Sequence, residues 1–154
     1  MKAIEEVVTL QVPATAEYVD LVRVTLYGIA AKMGFSYEAI EDMKVAVSEA
    51  CNNAILHAYE QEVPAVLEQQ NVEIKFIKQL DSLSIIVKDN GHSSRAVSEA
   101  PQTSPLHGKT IGEIHSGGLG LYLMQALMDH VEVLTSAGTQ VTLTKRLVRS
   151  EELA

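Results

Sequence analysis

VSEACNNAILHAY, residues 47–59, sets a carboxylate, two amides, a thiol and an imidazole among residues that are mostly small or apolar. Val47, Ala50 and Ala54 recur at the three- and four-residue steps of one helix face, and Ile40 and Met43 extend that face backwards. The spacing predicts one long helix from Tyr37 to about Tyr59, with small residues that allow close approach to a sheet. Ser36 is placed to cap it, Phe35 and Ile40 to staple it, and the acidic EAIED falls where the helix dipole favours it.

Along that helix Glu49, Asn53 and His57 stand at i, i+4 and i+8, one row, with Asn52 on the neighbouring row. An asparagine inside a helix is disfavoured and usually has a reason. Its amide oxygen suits a hard cation such as Mg2+, which completes its shell with water and phosphates. A carboxylate one turn earlier could accept a proton from a group attacking the phosphate. The plainer reading makes these helix-surface residues, His57 a structural group and Cys51 a buried apolar filler.

Working outward, EVVTLQV (6–12) reads as a strand ended by Pro13. A helix follows to Met33, with Val19, Val22, Leu26 and Ile29 on one face and Gly34 closing it. QEVPAVLEQQ is a connection to which no element is assigned. NVEIKFIK (71–78) and SLSIIVKD (82–89) alternate cleanly and form a hairpin through QLDS. Residues 92–116, with Pro101, Pro105 and histidines 92, 107 and 115, read as a lid. Leu119–His130 is a helix, VEVLTS a strand, Gly138 a turn, and TQVTLTKRLV the last strand. This order predicts an α+β two-layer sandwich: one mixed, mostly antiparallel sheet with helices on one face, a single domain over 1–154.

Two glycine signals complement the helix row. In KDNGH, Asp89 ends a strand and Asn90-Gly91 makes a turn. That is either a self-bonded strand end or an acceptor for an exocyclic amine, with Gly91 admitting a flat group. In SGGLG, Gly117, Gly118 and Gly120 sit at a loop-to-helix junction, where bare N–H groups form an anion site. Neither a P-loop nor a dinucleotide-binding fingerprint is present.

Composition narrows the class. The formal charge of −8, from 20 acidic and 12 basic residues, argues weakly against a direct nucleic-acid binder. One cysteine excludes an internal disulfide framework. There is no signal-peptide pattern and no membrane span, so a cytoplasmic location is the expectation.

With these three pieces in order, the chain resembles the Bergerat-type ATPase domain of histidine kinases, gyrase B, Hsp90-type chaperones and mismatch-repair proteins. Within that group it is most similar to the bacterial anti-sigma factor serine kinases of the RsbW type. EYVDLVRVTLYGIAAKMGFSYEAIEDMKVAVSEACNNAILHAY and SGGLGLYLMQALMD carry the resemblance, which covers about residues 8–147. It implies ATP and Mg2+ as cofactors, with Glu49 as general base, Asn53 as Mg2+ ligand and Asn52 in the nucleotide pocket. Asp89, supported by Gly91, would read the adenine amino group, and Gly117, Gly118, Leu119 and Gly120 would wrap the phosphates. Thr142 or Thr139 would assist Asp89.

The resemblance further implies an alternative RNA polymerase sigma factor held and inhibited, and a serine phosphorylated on a STAS-type anti-anti-sigma protein. It also implies a homodimer. For a binding module, the exposed outer face of the first helix, Arg23 and nearby residues, is a candidate contact surface. One departure stands out: Asp89-Asn90-Gly91-His92-Ser93 lacks the second glycine of the family's first glycine box. In the lid, Lys109, with His107 or His115, is the candidate γ-phosphate contact, and Arg95 is less well placed. The competing reading is a nucleotide-gated sigma-factor binding module with little or no kinase activity.

Overall fold

Period-two alternation builds the sheet. The computed structural model describes residues 5–60 (backbone alone for 57–60), 70–89, 119–135 and 138–148. In it β2 spans Asn71–Lys78 and β3 spans Ser82–Asp89. They pair antiparallel with Val72 opposite Asp89 and Phe76 opposite Ile85, so their buried apolar residues share one face. β1 (Glu6–Pro13) pairs with β2 as an edge strand, where the terminal proline removes no needed donor. On the other side β5 (Gln140–Arg146) pairs with β3, and β4 (His130–Leu134) pairs with β5. The order is β1-β2-β3-β5-β4, which makes β3 central. Every pairing is antiparallel, so the described sheet lacks the parallel pair that a mixed sheet would contain.

The helices cover the apolar face. A short 3-10 turn, Ala16–Tyr18, leads into α1 (Val19–Met33), which buries Val22, Leu26 and Ala30. Gly34 ends it at φ 99°, donating its N–H to the carbonyls of Ala30 and Ala31. α2 (Tyr37–Glu60) begins as its sequence dictates: Ser36 Oγ accepts the Ala39 N–H at 3.1 Å, and Phe35 and Ile40 are both buried. Its face of Ile40, Met43, Val47, Ala50 and Ala54 is buried throughout. Burying a side chain as large as Met43 or Phe76 contributes roughly 1.5–3 kcal/mol.

α3 (Leu119–Leu127) packs on α2 and stops three residues before the expected end. The reason is long-range. The Asp129 N–H leaves the helix to donate to the Thr144 carbonyl at 2.9 Å, and Asp129 Oδ2 accepts the Arg146 N–H at 2.7 Å. Lys145 Nζ donates to the Leu127 carbonyl at 2.6 Å and lies 3.7 Å from Asp42 Oδ2, tying the end of α3 to β5 and α2.

Candidate active site

α2 carries different chemistry on its two sides. Glu49 and Asn53 lie one turn apart and are half-buried, while Asn52 beside them is exposed. Cys51 and Ile55 sit about 200° around the helix from that row, buried in the core. With Val12, Thr15 and Val19 they line a cavity of about 10 Å³, room for about one water. Burial pushes the Cys51 thiol up to about 12, with the Arg23 guanidinium pulling weakly the other way. A thiol held neutral in this way is neither a nucleophile nor a metal ligand.

α3 brings its glycine to the polar row. Gly120 is buried, and a Cβ built on it would lie 2.8 Å from Glu49 Oε1 and 3.4 Å from Asn53 Nδ2. Three residues from two separate motifs thus meet where α2 and α3 pack. Leu119, at the start of α3, is 43% exposed and stays outside that contact.

Asp89 ends the central strand on the helix-covered side, only 2% exposed. Its backbone N–H donates to the Thr139 carbonyl at 3.2 Å, and the Thr139 N–H approaches Asp89 Oδ1 at 3.5 Å. Of the two threonines considered, the structure therefore brings Thr139 to Asp89. Thr142 goes elsewhere: its neighbours Val141 and Leu143 are buried against the helices, so the strand pleat turns Thr142 to the opposite face. Thr139 makes these contacts through its backbone N–H and C=O, so no side-chain pattern in the sequence marks it.

Arg23 also differs from the expected exposed position. Its Nη1 donates to Ser48 Oγ at 2.9 Å, its Nη2 pairs with Asp20, and Ser48 in turn donates to the Lys44 carbonyl. The residue bridges α1 and α2 beside Glu49. Gly91, Arg95, His107, Lys109, His115, Gly117 and Gly118 lie outside the described residues, as do the lid and the side chain of His57.

These donors suit a hard cation that keeps part of its water shell. Among the described residues no cluster of three His, Cys, Asp or Glu groups could cage an ion. An amide beside a carboxylate suits Mg2+ instead, which is held by few protein groups and completes its shell with water and phosphate oxygens. At Gly120 the space beside the backbone is filled by the Glu49 carboxylate and the Asn53 amide.

Comparison with known proteins defines the class first. The family profile described as "Histidine kinase-like ATPase domain" matches residues 12–145. A crystal structure of the RsbU and RsbW domains of a Mycobacterium tuberculosis protein shares the fold, with a TM-score of 0.65 at 22% identity. The match covers 94% of this chain and 33% of that one. Among curated relatives, the serine-protein kinase RsbW of Bacillus pumilus is 43% identical over 145 residues, 94% of this chain and 88% of that protein. The serine-protein kinase RsbW of Bacillus subtilis is 41% identical over 150 residues, 96% and 89% of the two chains. The chain belongs to the RsbW serine-protein kinases, a branch of the histidine kinase-like ATPases, and is an ATP-dependent protein serine kinase. No described helix is long and apolar enough to cross a membrane.

Proposed function

We propose that the chain is an anti-sigma factor: it binds and inhibits an alternative sigma factor and, with Mg-ATP, phosphorylates a serine of a STAS-type anti-anti-sigma protein. The observation that carries this reading is the meeting of Glu49, Asn53 and Gly120 between α2 and α3, in a chain over 40% identical to serine-protein kinases. Asp89 accepts the adenine amino group, with Thr139 rather than Thr142 beside it. Asn52 lies along the pocket, and Gly91, Gly117, Gly118 and Lys109 complete the phosphate side. Asn53 holds the Mg2+ that accompanies the nucleotide, an ion that offsets phosphate charge.

Little covalent chemistry falls to the protein itself. Glu49 takes the proton of the partner's serine hydroxyl as that oxygen bonds to the γ-phosphorus. The bond from phosphorus to the β,γ-bridging oxygen breaks, and ADP leaves. The exposed apolar side of α1, with Leu21 and Val24, offers a contact surface for the sigma factor. A homodimer belongs to the same reading.

The test is phosphotransfer from Mg-ATP to a purified STAS-type anti-anti-sigma protein of the same genome. Phosphate is expected on one serine, absent with Glu49→Gln although Mg-ATP still binds. Tight ATP binding and sigma-factor capture without any transfer would replace this reading with the nucleotide-gated binding module. Loss of ATP affinity in Glu49→Gln would remove the support for a base.

A further inference from the structure

A glycine at the start of a helix that follows a phosphate loop is ordinarily explained by the phosphate it admits. At Gly120 the space next to the backbone already has an occupant. A Cβ there would stand 2.8 Å from Glu49 Oε1 and 3.8 Å from Glu49 Cδ, and real Cβ atoms essentially never come within 3.0 Å of another atom. Backbone conformation does not require the glycine. Among the described residues only Gly34 and Gly138 have positive φ, and Gly120 is the second residue of α3.

We propose that Gly120 is a positioning residue for Glu49: its lack of a side chain lets the carboxylate lie against the first turn of α3 and fixes where the proton acceptor sits. The inference rests on Glu49 being that acceptor. The clashing atom is the far end of a flexible side chain, so a methyl group at position 120 displaces the carboxylate and leaves the helices in place. Asn53 Nδ2, at 3.4 Å, is in ordinary contact range and is not driven off. The prediction is therefore a split: catalysis falls while nucleotide binding and folding persist.

The experiment measures Gly120→Ala in three ways: thermal melting, the Kd for Mg-ADP, and single-turnover transfer to the anti-anti-sigma protein. Melting is expected within a few degrees of the unsubstituted chain, and the Kd within about threefold, while transfer falls about ten- to a hundredfold, as misplacement near 1 Å does elsewhere. Glu49→Asp supplies the second arm, because a carboxylate shorter by one methylene vacates the crowded space. In the Glu49→Asp background the Gly120→Ala penalty is expected to shrink to about threefold or less, a coupling that independent sites lack.

Transfer by Gly120→Ala at the unsubstituted rate overturns the proposal. So does a parallel loss of Mg-ADP affinity, which would assign the glycine to the phosphates, or an equal penalty in both backgrounds. A Gly120→Ala chain that does not fold overturns it too, because the argument requires Glu49 to yield. Glu49→Gln keeps the two readings apart. If it transfers normally, the base assignment fails; if it is inactive while Gly120→Ala is normal, only the positioning role fails.

Discussion

Asp89 and Thr139 hold one another at the end of the central strand, the Asp89 N–H on the Thr139 carbonyl and the Thr139 N–H near Asp89 Oδ1. Thr139 makes both contacts with its backbone, so what they fix is the carboxyl group's place and not its charge. Asp89→Asn keeps an Oδ1 acceptor there, and its melting temperature is expected to stay close to that of the unsubstituted chain. On the proposed reading, exchanging the acceptor oxygen that faces the adenine amine for an amide donor costs about 1–3 kcal/mol, or roughly five- to a hundredfold in the Kd for ATP. Calorimetric titration checks this, and an unchanged Kd would remove Asp89 from adenine recognition.

Asn53→Ala separates stability from binding. Alanine is the better helix former, so α2 gains a few tenths of a kcal/mol. Loss of the amide ligand should weaken Mg-ATP binding about tenfold or more. In EDTA, ATP should bind variant and unsubstituted chain alike. Equal weakening with and without the metal would mean that Asn53 touches the nucleotide instead.

Cys51 makes folding sensitive to alkali. Its thiol ionises near 9 when exposed and near 12 when buried, so the unfolded chain loses this proton first as pH rises. The contribution is complete below pH 9 and is lost from there towards 12. Between pH 9 and 11, the unsubstituted chain should lose stability faster than Cys51→Ala, by at most about 1.4 kcal/mol per pH unit. Denaturant melts of the two chains read the difference, and parallel pH profiles would contradict the burial argument.

Gly34→Ala tests backbone strain alone. The residue sits at φ 99°, and a Cβ there meets nothing within 4 Å. The cost should be about 1–2 kcal/mol from the left-handed conformation, with no packing contribution. At temperatures where it is folded, the variant should bind Mg-ADP normally.

Local patterns were legible in the sequence. The hairpin of β2 and β3 matches its expected ends, because alternation and the turn are written within the segment itself. Ser36, Phe35 and Ile40 announced the start of α2 in the same way. The end of α3 was not legible, since the apolar run carries no stop signal. Bonds from Asp129 to Thr144 and Arg146 end that helix, and they exist only once β5 is in place. The site divides along the same line. The i, i+4 step of Glu49 and Asn53 could be read, whereas the approach of Gly120 to Glu49 is a distance between two helices. No local spacing encodes that.

The two-sided character of α2 bears on how the enzyme responds to heat. A helix that holds Glu49 and Asn53 on one side is locked on the other by Met43, Val47 and Ala50, each at most 1% exposed. Glu49 and Asn53 therefore share a helix with some of the most deeply buried of the described residues. Amide protons along the middle of α2 should be among the last to exchange with solvent, opening only with the whole fold. Warming should thus leave this part of the site intact up to the temperature at which the core itself gives way, so that activity and native structure disappear together.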